Sequence, residues 1–274
     1  MLRDLLVHVD GSDGGRRRVK LAVGLAQRLD ARLTGLHVTP APDIEPLYRP
    51  SLVDAAVARA AEKLMQDARN AATIFHEETA RVSPDTKWVE AAGDVVHGVC
   101  ARARYADMVI LGQYEQQDSP QRHPLPIAHS AVLKCGRPVL VVPETVETSV
   151  FSKVAIAWDS SREAVRAIHD ALPLLRVAGS VDIVSMIVPT VEHDETDGAS
   201  LSAHMAHHGI NVAKDIVQVR TLDEHHALRQ QIEHGHYDLL VMGAYSHPVW
   251  MEFIFGGPTE STLFSSKTPV LVSH

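Results

Sequence analysis

The chain repeats itself, and that repetition limits the folds open to it. Leu5-Leu6-Val7-His8-Val9-Asp10-Gly11-Ser12 is matched by Val154-Ala155-Ile156-Ala157-Trp158-Asp159-Ser160-Ser161, which sets Asp10 and Asp159 149 residues apart. Tyr105-Ala106-Asp107-Met108-Val109-Ile110-Leu111-Gly112 is matched by Tyr237-Asp238-Leu239-Leu240-Val241-Met242-Gly243, and Pro138-Val139-Leu140-Val141 by Pro269-Val270-Leu271-Val272. These last two matches share an offset of 131, so the first half carries 18 extra residues in its middle. Self-similarity over this span means a duplicated unit. The 274 residues also suit two domains of roughly 150 residues each. Boundaries are expected at 1–146 and 150–274, with polar Glu144-Thr145-Val146-Glu147-Thr148-Ser149 as the link.

Each half alternates short apolar runs with helical patterns. In the first, strands are expected near 3–9, 33–38, 86–91, 107–111 and 138–142, and helices near 15–30, 50–81, 94–104 and 127–135. In the second, strands are expected near 153–158, 180–187, 214–219, 238–242 and 269–273, and helices near 161–178, 198–208, 222–235 and 257–266. The extra residues are placed in the long Ala-rich helix from Ser51 and its Pro-rich lead-in. Aromatics are only 5% of the chain, so Val, Leu, Ile and Ala must build the interior, as parallel strands covered on both faces require. The expected class is α/β, with two tandem, doubly wound, parallel five-stranded sheets joined by right-handed crossovers.

Charge and composition exclude several functions. A net charge of −8, with no basic run beyond Arg16-Arg17-Arg18, does not supply the phosphate neutralisation a nucleic-acid binder needs. Those arginines read as the solvated first turns of a helix. No apolar run approaches the roughly 20 residues of a membrane span. The start leads directly into a strand pattern, unlike a signal peptide. Cys100 and Cys135 form no CxxC and read as small core residues. A soluble cytoplasmic protein is expected.

An open parallel sheet binds ligands at the carboxyl ends of its strands. In the second half three segments meet that description: Ala157-Trp158-Asp159-Ser160-Ser161, Gly243-Ala244-Tyr245-Ser246-His247, and Gly256-Gly257-Pro258-Thr259-Glu260-Ser261. Glycines admit a backbone close to phosphate oxygens, and helix-start amides favour anions. Here the chain resembles a two-domain universal stress protein. The likeness rests on Val241-Met242-Gly243-Ala244-Tyr245-Ser246, nine residues, Gly256-Gly257, then Pro269-Val270-Leu271-Val272, together with the Trp158-Asp159-Ser160-Ser161-Arg162-Glu163-Ala164 opening. The resemblance implies a Rossmann-like sheet of the adenine-nucleotide alpha hydrolase class, dimerisation through the last strand, and ATP or AMP binding in some members. It carries over Ala157, Trp158, Asp159, Ser160, Gly243, Ser246, Gly256, Gly257, Thr259 and Ser261 as nucleotide contacts, with Mg²⁺ accompanying ATP. It also implies an intramolecular pseudo-dimer of the two halves and a homodimer of the chain.

The match is imperfect. Ser246 replaces the family's second glycine and Gly257 its phosphate-contacting hydroxyl, which Thr259 or Ser261 would have to supply. In the first half Glu115, Leu125 and Pro126 fall where Ser246, Gly256 and Gly257 fall, and the acidic loop repels phosphate, so no ATP is expected there. Asp159 has two readings, a helix cap alone or a cap that also contacts adenosine. For Asp10 the cap alone is favoured.

No phosphate-loop lysine motif, nucleophile elbow or HExxH is present, so no catalytic residue is assigned and a binding or interaction protein is favoured over an enzyme. The alternatives are an adenine-nucleotide hydrolase of low activity, whose nearest acids are Asp159, Glu252 and Glu260, and a nucleotide-independent interaction or metal-binding protein. For the last, His204, His207 and His208 share a helical face, near His193 and Asp194. The background expectation is that these histidines are merely solvated. The apolar run His247-Pro248-Val249-Trp250-Met251-Glu252-Phe253-Ile254-Phe255 is placed at an interface or within its own domain.

Overall fold

The computed structural model describes residues 1–41, 50–80, 85–113, 127–146, 150–186, 197–219, 231–232, 234–244 and 267–274. The elements are β1 (Asp4–His8), α1 (Asp13–Leu29), β2 (Arg32–Thr39), α2 (Pro50–Thr79), β3 (Thr86–Ala92), α3 (Val95–Ala103), β4 (Met108–Gly112), α4 (Ile127–Lys134) and β5 (Val139–Val142), then β6 (Lys153–Trp158), α5 (Arg162–Leu175), β7 (Ser180–Met186), α6 (Asp197–His207), β8 (Val212–Val219), β9 (Leu239–Gly243) and β10 (Val270–Ser273). The fold is α/β, as expected. Residues 231–232 and 234–235 are helical, while the rest of the helix expected near 222–235, the one near 257–266 and the apolar run at 247–255 lie outside the described residues. The long helix expected from Ser51 is present, α2 spanning 30 residues where α6 spans 11, while most of its Pro-rich lead-in lies outside the described residues.

Among the described residues ten strands form one sheet, in the order β3-β2-β1-β4-β5-β10-β9-β6-β7-β8. Within each half every pairing is parallel. The halves meet through antiparallel β5 and β10, with Val141, Leu140 and Val139 opposite Val270, Leu271 and Val272. All four residues of each of these strands are buried. The halves are thus two-fold related, and their strands run in opposite directions. The carboxyl ends of β1 and β4 open at one edge of the slab, those of β6 and β9 at the other.

Short, uninterrupted apolar runs suit strands buried on both faces, and the core has two layers accordingly. One packs under α1, α2, α5 and α6 and joins Leu5, Val7, Phe75, Leu140, Ile156, Ile168 and Leu271. The other lies beneath α3 and α4 and joins Leu6, Val109, Val139, Ala155 and Val272. Each layer crosses the junction. Cys100 and Cys135 are buried in the second layer, as small core residues.

Duplication extends to single hydrogen bonds. The Asp107 carboxylate accepts from the amides of Arg3 and Asp4 at 2.7 and 3.0 Å, and that of Asp238 from Ser152 and Lys153, both at 2.9 Å. Each aspartate stitches the start of its half's first strand to the start of the fourth. The Gln113 amide donates to Val142 O, and the Ala244 amide to Ser273 O, closing the other ends. Bonds to a charged acceptor contribute about 1.5–3 kcal/mol. Asp238→Ala is therefore expected to destabilise the chain by about 2 kcal/mol, and Asp107→Ala by a similar amount, read as a lower urea midpoint at unchanged slope.

Candidate functional site

The first strand of each half ends in the same local construction. Ser12 is the N-cap of α1, its Oγ accepting from the Gly15 amide at 2.9 Å, and the Asp10 Oδ1 accepts from the Ser12 amide at 3.1 Å and from its hydroxyl. In the second half Ser161 caps α5 by accepting from the Ala164 amide at 3.1 Å, and Asp159 Oδ1 accepts from the Ser161 amide and hydroxyl at 3.1 and 2.6 Å. Neither aspartate is itself the N-cap. Each orients the serine that is, and each keeps its second carboxylate oxygen for another partner. Ser160, between them, takes a left-handed φ of 61°. That conformation costs a non-glycine residue about 1 kcal/mol or more, and such outliers concentrate at ligand sites.

The two halves part company at the next contact. In the first, Arg18 is buried at 5% exposure, its Nε donating to His8 O at 2.8 Å and its Nη2 to Asp10 Oδ2 at 2.5 Å. The guanidinium lies against the end of β4, where a Cβ on Gly112 would run into Nη1. This corrects the reading of Arg16–Arg18 as uniformly solvated. Arg16 does face solvent, paired with Glu77 and Glu78 at 2.7 Å, and Arg17 reaches the Glu144 carbonyl, but Arg18 turns inward and fills the carboxyl end of the sheet. At the offset of 149 its counterpart is Ala167, which is fully buried.

Charge follows geometry. Burial alone would raise the Asp10 pKa, but the Arg18 guanidinium, the Ser12 hydroxyl and His8 outweigh it and hold the carboxyl well below the usual range. Burial, then Arg18, and more weakly His37, push the His8 imidazole down to about 4 against the opposing pull of Asp10. In the second half position 8 becomes Ala157, and Asp159 has no cationic partner among the described residues.

The structure brings Ala157, Trp158, Asp159, Ser160 and Gly243 to one edge of the sheet. Gly243 is required there, because a Cβ would lie 2.5 Å from the Ala164 amide nitrogen at the start of α5. Ser246, Gly256, Gly257, Thr259 and Ser261 lie outside the described residues. Two buried polar atoms at this end have no hydrogen-bond partner among the described residues: Trp158 Nε1 and Ser273 Oγ. Ser273 pairs with Gly243 across β10 and β9, and it was not singled out from the sequence because Val142 holds its place in the first half.

A model of the universal stress protein family matches residues 1–143. The chain belongs to that family. Among solved structures, the fold is similar to a universal stress protein from Archaeoglobus fulgidus, with a TM-score of 0.70 at 17% identity, covering 98% of this chain and 96% of that one. It is also similar to a functionally unknown protein from Pseudomonas aeruginosa, with a TM-score of 0.54 at 14% identity, covering 99% and 92%. No curated protein matches the chain. The family match falls on the half whose site Arg18 fills, and the two-half structural match extends the universal stress protein fold over the remainder. No helix among the described residues is long and apolar enough to cross a membrane.

The filled site has two measurable consequences. Arg18→Ala leaves His8 O and Asp10 Oδ2 without their donor and is expected to cost about 2 kcal/mol, read as a lower urea midpoint. For His8, the folded pKa of about 4 lies below its unfolded value near 6.5, so the unfolded chain takes up the proton first. Stability is therefore undiminished above pH 6.5 and falls as pH drops from 6.5 to 4. The loss is roughly 2–3 kcal/mol, and His8→Gln is expected to flatten that part of the stability profile by this amount relative to the parent.

Proposed function

We propose that this universal stress protein binds an adenine nucleotide, ATP or AMP, in its C-terminal half, and that the N-terminal half is a structural partner that does not. The observation that carries this reading is the exchange of Arg18 for Ala167. The same Asp-x-Ser turn is neutralised from within in one half, and in the other its aspartate keeps one carboxylate oxygen with no partner among the described residues. Asp159 suits a ribose hydroxyl, a neutral donor that a carboxylate accepts from readily. The amides at the start of α5 suit an anion. The buried Trp158 Nε1 and Ser273 Oγ, without a hydrogen-bond partner among the described residues, are donors that a bound ligand or its water would satisfy.

The contacts are assigned to Ala157, Trp158, Asp159, Ser160 and Gly243, completed by Ser246, Gly256, Gly257, Thr259 and Ser261 from the two following segments. Mg²⁺ accompanies the triphosphate. Binding, not turnover, is the activity, with the nucleotide as a signal in a cytoplasmic stress response. The domains are 1–146 and 150–274. Antiparallel β5 and β10 already use the last-strand edges within one chain, so a homodimer of the chain assembles through another surface.

Calorimetric titration with ATP, ADP and AMP, with and without Mg²⁺, tests the reading. One site per chain is expected, abolished by Asp159→Ala and unaffected by Gln113→Ala in the first half. Bound nucleotide should also raise the melting temperature by mass action. No heat and no thermal shift at millimolar nucleotide would leave a nucleotide-independent interaction protein as the function. Loss of binding in Gln113→Ala but not in Asp159→Ala would move the site to the other half.

A further inference from the structure

The first turn of α5 lies against the carboxyl end of β9. A Cβ placed on Gly243 would fall 2.5 Å from the carbonyl carbon of Glu163 and 2.8 Å from its Cβ. Glu163 therefore stands at the edge of the sheet that Asp159 and Gly243 share. Its side chain is 14% exposed, against 89% for Arg162, whose Nε donates to Glu163 Oε1 at 2.5 Å. The Arg162 side chain first, then Glu163's own backbone amide, hold the carboxyl below its usual range. His274, beyond β10, adds a weaker contribution of the same sign.

The anion that the start of α5 suits is thus already in place, supplied by the chain itself. The Ser161 amide donates to Asp159 Oδ1 and the Ala164 amide to Ser161 Oγ, both at 3.1 Å, and the Glu163 amide faces its own carboxylate. The first half reaches the same arrangement by another route. At the offset of 149 position 163 aligns with Gly14, and a Cβ on Gly14 would lie 3.0 Å from Glu144 Oε1. A carboxylate therefore borders the first turn of α1 as well, arriving from beyond β5 into space that the glycine leaves open.

We propose that Glu163 sets the specificity of the nucleotide site assigned above, on which this inference rests: it favours adenosine ligands with one phosphate or none over ADP and ATP. The reason is charge. A polyphosphate laid along this edge meets the carboxylates of both Asp159 and Glu163, while the Arg162 guanidinium is already paired. Like charges brought together weaken the wrong ligand, which is discrimination by repulsion. A ribose hydroxyl suffers no such penalty, because a carboxylate accepts its proton in a hydrogen bond. Each phosphate beyond the first adds negative charge at the same edge, so the discrimination grows along the series AMP, ADP, ATP.

The test is calorimetric titration of the full-length chain with adenosine, AMP and ATP, first in EDTA, so that no divalent cation bridges phosphate to carboxylate, and then with Mg²⁺. In EDTA the parent is expected to bind AMP about tenfold or more tightly than ATP. Glu163→Gln keeps the size of the side chain and removes its charge, and should raise ATP affinity relative to AMP by about tenfold. Arg162→Gln should move that ratio the other way by about threefold, because the carboxylate loses an exposed counter-charge. Thermal melts without ligand check that both variants fold. A parent that binds ATP more tightly than AMP in EDTA, or a ratio indifferent to Glu163→Gln, would overturn the specificity role and leave the nucleotide site standing. Loss of ATP–Mg²⁺ binding in Glu163→Gln would overturn it as well, by making the carboxylate a partner of the metal-bound phosphates. No binding of adenosine, AMP or ATP by the parent or by Glu163→Gln would remove the site, and this inference with it.

Discussion

Six residues hold the two halves together: Val139, Leu140 and Val141 of β5 lie antiparallel to Val272, Leu271 and Val270 of β10. A parallel sheet that ended at β5 would leave a flat, apolar strand with unpaired backbone groups, the usual template for unwanted association. Pairing with β10 removes that edge and runs both core layers through the junction without a break. Because the pairing is antiparallel, it also places the carboxyl ends of the two halves' strands at opposite edges of the sheet. Whatever one half binds is presented at the edge opposite the other half's, so the halves need not bind the same thing.

That freedom has been used. Both halves retain the Asp-x-Ser turn, the capped first helix and the aspartate that stitches the strand starts, which are structural necessities of the repeat. They differ where structure makes no demand. Arg18 fills the first site with a cation that its own carboxylate neutralises, and the His8 imidazole beside it is held neutral. At Ala167 the second half packs a methyl group, and Asp159 has no cationic partner among the described residues. The placement of histidines shows the same divergence: His169 of α5 meets His204 of α6 and His208 just after it, in a half whose α6 is short.

The ten strands were legible in the sequence to within a residue or two, because the central strands, buried on both faces, must be written as apolar runs, and the repeat writes them twice. The glycines at 112 and 243 and the aspartates at 10 and 159 were legible for the same reason. Arg18 was not. A run of three arginines after a helix cap reads as solvated, although Arg18 stands four residues before Ala22 on the buried stripe of α1 and aligns with Ala167. The alignment, followed one residue at a time, carried that signal. Ser273 and His169 were illegible for another reason. Each acquires its meaning from a neighbour on a different element, Gly243 for the serine and the α6 histidines for His169, and no spacing along the chain reports such a meeting.

Hydrogen–deuterium exchange with and without saturating ATP–Mg²⁺ asks most directly whether two halves of one fold have been divided into a binding half and a structural half. If the division is real, nucleotide slows exchange across Ala157–Ala164 and at Gly243–Ala244, and leaves His8–Gly15 and Gly112–Gln113 unchanged. Equal protection at both ends of the sheet, or protection confined to the end that Arg18 occupies, would contradict it.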